Sequence, residues 1–276
     1  MDVQVTTQKE LSVDLAYLAG LFDAEGTFVI RRQDEDYIRP VISLYNNNEA
    51  LLRHAQSILG GNVHSVSRAH RSNKHNNSFI LDFCSHENVS RVCSALRPHL
   101  ILKAKQCDLL SRLHALSDAE KEEAFKEACR LNEKAVIHTF TEKKSTQVDL
   151  SAVNAADWAY FAGWVDGDGT LIFQPQYFVG TRYLYPWVCV YSTKPEALEH
   201  IFNIFGGTLK VRTRRANWAL EGSVRFTDQR YVAKILLGLL PYLREKKQKA
   251  TILLNATQVE AKNREPFLAE LKGLSK

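Results

Sequence analysis

The sequence lacks a long apolar run. Hydrophobic residues make up 45% of its 276 positions. Even the apolar stretch Ile235–Leu240 near its end is far shorter than the roughly 20 residues that cross a bilayer. The opening segment MDVQVTTQKELS has no apolar signal-peptide core and carries acids that transit peptides avoid. We therefore expect no membrane association and an intracellular location, in an organelle (chloroplast or mitochondrion) that encodes the protein or in a microbial cytoplasm.

Cysteine is also scarce. The chain has five cysteines, an odd number, and no two of them have the CxxC spacing. This pattern favours a reduced interior over a disulfide framework or a structural zinc site. The five are Cys84, Cys93, Cys107, Cys129 and Cys189.

A strong charge of one sign is absent too. Lysine and arginine number 36 against 31 acidic residues, which leaves a net charge of +5. Basic residues cluster in the short stretches 210–215 and 244–249, whereas acidic residues concentrate in Asp118–Glu127. Basic clusters of this kind indicate a surface that contacts nucleic acid. On charge alone, solvated faces that bind nothing explain them equally well.

What the sequence does contain is an internal repeat. The phrases LAYLAGLFDAEGTF (Leu15–Phe28) and WAYFAGWVDGDGTL (Trp158–Leu171) share one pattern of small, apolar and acidic residues. Each phrase is followed by two strand-like runs, a helix that ends at a double glycine, two further strands, an apolar helix and a proline before a basic helix start. The predicted strands are Thr27–Gln33, Arg39–Tyr45, Asn62–Arg68 and Phe79–Phe83 in the first half, and Thr170–Gln176, Tyr183–Tyr191, Thr208–Arg214 and Ser223–Phe226 in the second.

The repeat predicts an α+β fold of two tandem αββαββα units with antiparallel sheets. The first unit covers residues 1–116 and the second covers residues 153–276. Residues 117–152 between them form a linker that begins with a charged helix running to about Lys134 and continues as the polar segment Thr139–Ala152.

Each repeated helix carries a stripe of small residues on one face. Glycine inside a helix costs about 1 kcal/mol relative to alanine, so its recurrence indicates that another backbone approaches closely. We predict that the two motif helices pack on each other along a pseudo-two-fold axis, so that the chain is a monomer with internal pseudosymmetry. Packing of each helix within its own half is the alternative. The stripes are Ala16, Ala19 and Gly20 in the first copy, and Ala159, Ala162 and Gly163 in the second.

Acidic residues occur at the C-terminal end of both repeated helices. Asp23 and Glu25 in the first copy match Asp166 and Asp168 in the second. The helix dipole disfavours negative charge there by roughly 0.3–1 kcal/mol, so we expect a cation at this end. Two carboxylates together with backbone carbonyls suit a hard ion such as Mg²⁺.

An EF-hand calcium loop is excluded as an explanation of DGDGT. That loop needs glycine at position 6 and glutamate at position 12. Counted from Asp166, these positions hold Leu171 and Tyr177. The first copy fails in the same way, with Phe28 and Asp34.

Both phrases resemble the LAGLIDADG motif of homing endonucleases in the single-chain, two-motif form. The resemblance extends over essentially the whole chain, because the order of strands and helices after each motif also fits. It implies curved antiparallel sheets that bind double-stranded DNA. The implied activity is that of a site-specific endonuclease, which hydrolyses phosphodiesters with Mg²⁺ and leaves a staggered double-strand break.

The resemblance also implies which residues hold the metal. The last acid of each motif, Glu25 and Asp168, is expected to bind two or three divalent ions shared where the motif helices meet. Asp23 and Asp166 are interpreted as turn and helix-end structure. The backbone carbonyls expected to assist belong to Ala24 and Gly167.

Two further roles follow from the family pattern. A basic residue is expected near the scissile phosphate, where it adds positive charge to the transition state. Lys103 and Lys246 occupy that place, five residues after the proline that both halves share. A polar residue near the end of the second strand helps to position water, and the candidates are Asn46 and Ser192.

Strand periodicity predicts which side chains face the DNA, because successive side chains point to opposite faces of a sheet. Arginine and lysine suit guanine edges and glutamine suits adenine, while some of these groups contact only phosphate. The two halves differ at nearly all of these positions, so we predict a long asymmetric target. The predicted DNA-binding residues are Thr27, Val29, Arg31, Gln33, His64 and Arg68 in the first half, and Thr170, Ile172, Gln174, Gln176, Lys210, Arg212 and Arg214 in the second.

Three alternatives stay open at this point. An RNA-binding intron maturase would use the same fold and basic surface on intron RNA without cleaving DNA. A DNA-binding regulator on this scaffold is expected to have lost one or both motif acids, and here both are present. An HNH-type nuclease site built from His70, His75 and Asn76 is a further possibility, although polar loops often produce such clusters.

Overall fold

The fold is described from a computed structural model, which places residues 2–34, 37–66, 78–133, 140–145, 148–212 and 221–274. The chain forms two compact units, residues 1–133 and residues 134–276. Each unit combines one antiparallel sheet with several helices. The predicted α+β class and tandem repeat are therefore confirmed. Among the described helices, none combines the length and the apolar character that a membrane crossing requires.

The first unit follows the predicted order of elements. Its four strands lie in the order β1-β2-β4-β3. Its elements are α1 (Asp2–Glu25), β1 (Gly26–Asp34), β2 (Tyr37–Asn46), α2 (Glu49–Leu59), β3 (Asn62–Val66), β4 (Ser78–Phe83), α3 (His86–Leu96), α4 (Ala104–Arg112) and α5 (Asp118–Asn132).

The second unit repeats this order with one added strand. Its sheet has the order β5-β8-β9-β7-β6. Its elements are β5 (Thr141–Ser145), α6 (Ala155–Asp168), β6 (Gly169–Phe178), β7 (Thr181–Ser192), α7 (Pro195–Phe205), β8 (Gly207–Arg212), β9 (Glu221–Phe226), α8 (Gln229–Leu239), α9 (Lys247–Thr257) and α10 (Glu265–Gly273).

One face of each sheet is covered by helices. Phe28 and Ile30 of β1 are buried, as are Leu171 and Phe173 of β6, while the residues between them are only half buried. In the first unit, α2, α3 and α4 pack on β2, β4 and β1. The side chains of opposite parity point away from the helices, on what we call the open face of each sheet.

Strand β5 corrects the interpretation of Thr139–Ala152 as a polar linker. Thr141–Ser145 pairs antiparallel with β8, at the edge of the second sheet. The sequence TEKKS has no alternation of apolar and polar residues, so the periodicity that reveals other strands is missing here. Polar and charged residues are common in edge strands, because they discourage pairing with another chain.

The double glycines end α2 and α7 as predicted. Gly60 and Gly61 have φ of 70° and 87°, in the left-handed region that favours glycine. A Cβ at Gly61 would lie 2.5 Å from a ring carbon of Phe83. The glycine therefore provides both the turn and the space for β3 to begin against the core.

Glycine 238 provides a test of packing in the second unit. It lies inside α8, where replacing glycine by alanine normally stabilises a helix by about 1 kcal/mol. A Cβ there would lie 2.3 Å from the ring of Trp158 on α6. We expect Gly238→Ala to destabilise the unit by about 1–3 kcal/mol instead, because the core is overpacked.

Thermal unfolding measures this difference. Gly273→Ala is the matched control, because Gly273 also lies in a helix and a Cβ there has no atom within 4 Å. The control should be neutral or slightly stabilising. A higher melting temperature for Gly238→Ala than for the unmodified chain would show that α6 and α8 pack less tightly than described.

Candidate functional site

The two motif helices end with the same arrangement of an exposed and a buried acid. Glu25 and Asp168 are the last residues of α1 and α6, and both are exposed. Asp23 and Asp166, two residues earlier, are only 2% and 1% exposed. Neighbouring acids of similar chemistry therefore have different environments, and only the last acid of each motif is accessible to a ligand.

The buried carboxylate of Asp23 binds the backbone of the loop between α3 and α4. Its Oδ2 accepts hydrogen bonds from the N–H groups of Ile101 and Leu102, at 2.7 and 3.0 Å. Its Oδ1 accepts from the N–H of Lys103 at 3.0 Å. Three N–H donors to one carboxylate hold the loop in its conformation.

The second unit repeats this contact. Asp166 Oδ2 accepts from the N–H groups of Arg244 and Glu245, at 2.7 and 3.2 Å. Its Oδ1 accepts from the N–H of Lys246 at 2.8 Å. Asp23 and Asp166 are interpreted from the sequence as helix-end structure, and the structure shows what they do there. Each anchors the loop that carries a predicted catalytic lysine.

The anchored lysines reach back to the ends of the motif helices. Lys103 Nζ donates to the carbonyl oxygen of Asp23 at 2.5 Å. Lys246 Nζ donates to the carbonyls of Val165, Asp166 and Gly167, at 2.7, 2.9 and 3.2 Å. Because a helix C-terminus carries partial negative charge, an ammonium group is favourable there. The sequence predicts a cation at this end, and the structure supplies a lysine of the chain itself.

Burial perturbs one of these lysines. The pKa of Lys246 is lowered from its ordinary value, chiefly because burial disfavours the charged ammonium form. Glu245, Asp166 and Asp168 oppose this shift by favouring the charge, while Lys249 adds to it. Lys246 therefore gives up its proton at a lower pH than a solvated lysine.

The glycine after each motif brings the first strand directly against the helix end. A Cβ at Gly26 would lie 2.6 Å from the carbonyl oxygen of Phe22, and one at Gly169 would lie 2.6 Å from that of Val165. Since the chain turns from helix to strand without an intervening loop, the open face of the sheet begins two residues from the exposed acid.

Asn46 and Ser192 are equivalent in register. Gly26 pairs with Leu44, and Gly169 pairs with Val190, so each candidate lies two residues beyond the partner of the motif glycine. Their side chains form turns in the structure. Asn46 Oδ1 accepts from the N–H of Asn48 at 2.7 Å, and Ser192 Oγ accepts from the N–H of Lys194 at 3.0 Å. These hydrogen bonds do not test whether Asn46 and Ser192 position water, so that role stays a prediction.

The donors at the helix ends fit a divalent metal of the magnesium type. Within the described ranges, no group of three or more histidine, cysteine, aspartate or glutamate side chains could hold an ion. A site here would therefore use one exposed carboxylate per unit, Glu25 or Asp168, together with carbonyls such as that of Gly167. Mg²⁺ accepts such a set, because it keeps several waters and binds through one or two carboxylates.

The structure places the predicted DNA-binding residues that it describes on the open faces. Arg32, one position from Arg31, instead contacts the helix side, where it lies over the Phe125 ring of α5 at 5.0 Å and bonds to Glu122. The predicted alternation is thereby supported. Arg68 and Arg214 lie outside the described residues. Those on the open faces are Thr27, Val29, Arg31, Gln33 and His64 in the first sheet, and Thr170, Ile172, Gln174, Gln176, Lys210 and Arg212 in the second.

Two acidic residues share the open face of the second sheet with its cations. Glu142 of β5 lies 3.2 Å from Lys210 Nζ, and Glu221 of β9 lies 3.7 Å from Arg212. Both pairs are at least partly exposed, so each contributes little to stability. A polyanion that approaches this face would compete with these acids for the two basic groups.

The same face carries an aromatic stripe that is not among the predicted DNA-binding residues. Three residues of β7 that pair with open-face residues of β6 are aromatic. Cys189, opposite Thr170, interrupts the series, and Tyr191 resumes it. The spacing i, i+2, i+4 was available in the sequence, but the phrase YLYPWVCVY contains apolar residues at both parities. Only the strand pairing separates the stripe from the core. Its members are Tyr183, Tyr185, Trp187 and Tyr191, with Arg225 of β9 beside Cys189.

Comparisons with known proteins agree with the resemblance drawn from the two motifs. Residues 12–96 match the family model of the LAGLIDADG-like domain. No curated protein matches the chain in sequence. The likeness to solved structures, at 14–15% identity, establishes the fold of the chain.

Three of these structures are LAGLIDADG or meganuclease proteins bound to DNA. I-GzeII with its DNA target matches with a TM-score of 0.65 at 15% identity, over 94% of this chain and 96% of that one. I-SmaMI, bound to uncleaved DNA with calcium ions, matches with a TM-score of 0.66 at 14% identity, over 94% and 97%. I-AabMI, bound to uncleaved DNA, matches with a TM-score of 0.65 at 15% identity, over 94% and 97%.

The anchoring aspartate can be tested by Asp166→Asn. The amide keeps the shape but loses the charge, and its NH₂ group cannot accept the N–H bonds of the loop. We expect a loss of about 2–4 kcal/mol of stability, because hydrogen bonds to a buried charged group are the strong ones. Hydrogen exchange should also accelerate at the amides of Arg244, Glu245 and Lys246.

Asp157→Asn is the matched control for this change. Asp157 lies in the first turn of the same helix α6, where its side chain accepts from Asn154 at 2.8 Å. The control should leave exchange in the loop unchanged. Unaltered exchange of the loop amides in Asp166→Asn would show that the carboxylate does not hold the loop.

Proposed function

We propose that the chain is a site-specific DNA endonuclease, in which each unit cleaves one strand by metal-dependent phosphodiester hydrolysis. The observation that carries the proposal is the repeated constellation at the motif ends. In both units, an exposed acid, a buried anchoring aspartate and an inward-reaching lysine come together from segments about 80 residues apart. Structural packing alone does not require the exposed acid to recur beside a lysine. The DNA-bound state of the structural relatives supports the substrate.

Glu25 and Asp168 are the proposed metal ligands. Both are carboxylates at an exposed helix end, where carbonyl oxygens are close by. When bound, Mg²⁺ would supply an activated water and would stabilise charge on the attacking and leaving oxygens. The residues of the chain contribute ionised oxygen donors that are already held in place by the helix. One carboxylate from each unit gives two quasi-symmetric sites, and hence a staggered break.

Lys103 and Lys246 are proposed to stabilise the phosphate in the transition state. Hydrolysis places extra negative charge on the phosphate oxygens, and a fixed ammonium group nearby lowers the energy of that charge. The loop bonds to Asp23 and Asp166 hold the lysine backbones in advance, so little reorganisation is needed. Asn46 and Ser192 are proposed to orient water beside them.

The open faces are proposed to read the target. In the first unit this face offers arginine, glutamine and histidine side chains, whereas the second offers glutamines, lysine, arginine and an aromatic stripe. Because a side chain recognises a base edge by its own donors and apolar groups, two unlike faces predict two unlike half-sites. The target is therefore a long asymmetric duplex.

The motif acids are tested by Glu25→Gln and Asp168→Asn. Each removes one ionised ligand while preserving size, so we expect double-strand cleavage to fall about a hundredfold or more. The chain is first incubated with a randomised duplex library and Mg²⁺, and the cut ends are sequenced to find the target. A supercoiled plasmid carrying that target then separates nicked from linear product.

Glu270→Gln is the control, because Glu270 is an exposed acid of α10 that belongs to neither motif. It should cleave both strands like the unmodified chain. Normal cleavage of both strands by Asp168→Asn would remove Asp168 from the metal site. If the unmodified chain cuts no duplex but binds structured RNA tightly, the nuclease assignment itself is wrong.

The lowered pKa of Lys246 predicts a pH dependence. The protonated form supplies the positive charge, so cleavage should decline as pH rises through the lowered pKa, earlier than for a solvated lysine. Lys246→Arg should move this decline to higher pH, since arginine keeps its charge. Both statements are checked by measuring, from pH 7 upward, the rate of the slower of the two strand-cleavage steps on the plasmid. A decline that is unchanged in Lys246→Arg would assign it to another group.

The lowered pKa of Lys246 changes stability with pH in the opposite direction from cleavage. Its contribution to the free energy of unfolding rises with pH, whereas cleavage falls. Its folded pKa is lower than its unfolded pKa, so the unfolded chain binds the proton more tightly. This group therefore destabilises the fold when it is charged, and the penalty is relieved as pH rises through the folded pKa. A decline of activity at high pH is thus not explained by unfolding driven by Lys246.

A further inference from the structure

The second unit contains a cavity between β6, α9 and α10. Its volume is about 390 Å³, which lies within the range of roughly 300–1,000 Å³ that small-molecule sites occupy. Three lysines line it, and they are Lys246, Lys249 of the first turn of α9 and Lys272 of the last turn of α10. We call it the lysine cavity.

The charge around the lysine cavity is positive. No acid is among the described residues that line it. In the part of the chain that the structure describes, Lys249 and Lys272 also form no ion pair with an acid elsewhere. Lys246 alone is engaged, through its bonds to the carbonyls at the end of α6. Two ammonium groups are therefore left to meet a ligand.

The lysines of the cavity repel one another. Burial is the main reason that the pKa of Lys246 is lowered, and the positive charge of Lys249 adds to the shift. An anion placed between like charges replaces this repulsion by attraction. The electrostatics of the cavity therefore favour an anionic occupant.

The rest of the lining is largely apolar. Leu171 of β6 and Leu271 of α10 are buried, and Leu268 of α10 is half buried. Leu171 belongs to the helix-covered face of its sheet, so this lining lies behind the open face that is proposed to hold duplex DNA. A bare anion would leave the leucines uncovered, whereas an anion joined to an organic group would bury apolar surface on them.

The first unit closes the matching place with its own backbone and side chains. Phe28 occupies the position in the first motif that Leu171 has in the second. Helix α5 packs on both β1 and α4, and Asn132 Nδ2 of α5 donates to the carbonyl oxygen of Phe28 at 3.1 Å. In the second unit, Leu171 lines the lysine cavity instead.

The charge of the cavity is also particular to the second unit. Gln106 follows Lys103 by three positions, as Lys249 follows Lys246. Gln106 is buried, and its Nε2 donates to the carbonyl oxygen of Leu131 at 3.3 Å. A neutral residue that ties two helices together in one unit is therefore a lysine facing a cavity in the other.

We propose that the lysine cavity binds a small phosphate monoester, with the phosphate at Lys249 and Lys272 and the organic group on Leu171, Leu268 and Leu271. A phosphate monoester carries a charge of about −1.5 to −2 at neutral pH, so it suits a group of lysines better than a singly charged carboxylate does. The ligand is a free molecule and not the target DNA, so the site goes beyond the proposed function.

Occupancy should also affect cleavage, and this consequence rests on the proposed function. A phosphate bound beside Lys246 attracts its ammonium group, which is then less available to the phosphate of DNA. The first unit has Gln106 in place of Lys249, so its strand should still be cut. We expect nicked plasmid to accumulate when the ligand is present.

Calorimetric titration of the full chain without DNA tests the site directly, with adenosine monophosphate as the probe. We expect one saturable site, and weaker binding of inorganic phosphate. The double variant Lys249→Gln, Lys272→Gln should bind the probe about tenfold or more weakly, because it loses charge-assisted hydrogen bonds. Leu268→Ala should weaken the probe about fivefold and leave inorganic phosphate unchanged, because it removes only apolar contact.

Lys247→Gln is the matched control. Lys247 is an exposed lysine of the same turn of α9, and it is not a lining residue of the cavity. This variant should bind adenosine monophosphate like the unmodified chain. Unchanged binding of inorganic phosphate by Leu268→Ala shows that this variant is folded, so its loss of the nucleotide reports on the cavity.

Several results would overturn the site. One is the absence of saturable binding of adenosine monophosphate at millimolar concentration. Another is equal binding by the unmodified chain and the double lysine variant, which would place the ligand elsewhere. Lysine-dependent binding of a duplex with a phosphorylated end, without binding of the free nucleotide, would assign the lysines to DNA.

The cleavage assay separates this proposal from the proposed function. If the chain binds adenosine monophosphate as expected but cuts no duplex, the site stands and the proposed function fails. If the chain cuts its target but both strands are cut equally fast at saturating nucleotide, the cavity does not control Lys246, and that consequence is overturned.

Discussion

The rest of the site depends on the hydrogen bonds that the buried aspartate of each motif accepts. Asp23 and Asp166 each accept three backbone N–H groups from a loop about 80 residues further along the chain. A buried carboxylate without such donors would be strongly unfavourable. The requirement to satisfy it fixes the loop, and the loop in turn fixes the position of Lys103 or Lys246. The exposed acid, Glu25 or Asp168, follows two residues later at the same helix end as this lysine.

The two units keep this arrangement but differ on their sheets. Both place a lysine on the carbonyls of the motif helix, and both begin the first strand directly at the motif glycine. The open face of the first sheet carries Arg31 and Gln33, whereas that of the second carries an aromatic stripe and two partly exposed ion pairs. The helix-end contacts are thus repeated in both units, whereas the side chains on the open faces are not. Under the proposed function, the repeated part carries the reaction and the differing part selects the bases.

Several features could not be predicted from sequence for identifiable physical reasons. Strand β5 has no apolar alternation, since an edge strand is defined by backbone pairing with β8 and not by burial. The aromatic stripe lies in a run that is apolar at both parities, so pairing with β6 is needed to assign its face. Arg264 donates to the carbonyl oxygen of Leu184 on β7 at 2.8 Å. This contact depends on β9 ending at Phe226, which leaves carbonyls of β7 to be satisfied by a side chain.

The sequence by itself determined the element order, the duplication, the exposed acids and the alternation on the first strand of each sheet. These follow from local periodicity, from glycines at helix C-termini and from a motif that occurs twice, all of which can be read from short segments of the chain. Only the tertiary structure decided that Asp23 and Asp166 hold distant loops, that lysines reach the helix ends, and that the aromatic residues of β7 lie on the open face. Those contacts join residues far apart in sequence, and their energies exist only once burial and strand pairing have brought the partners together.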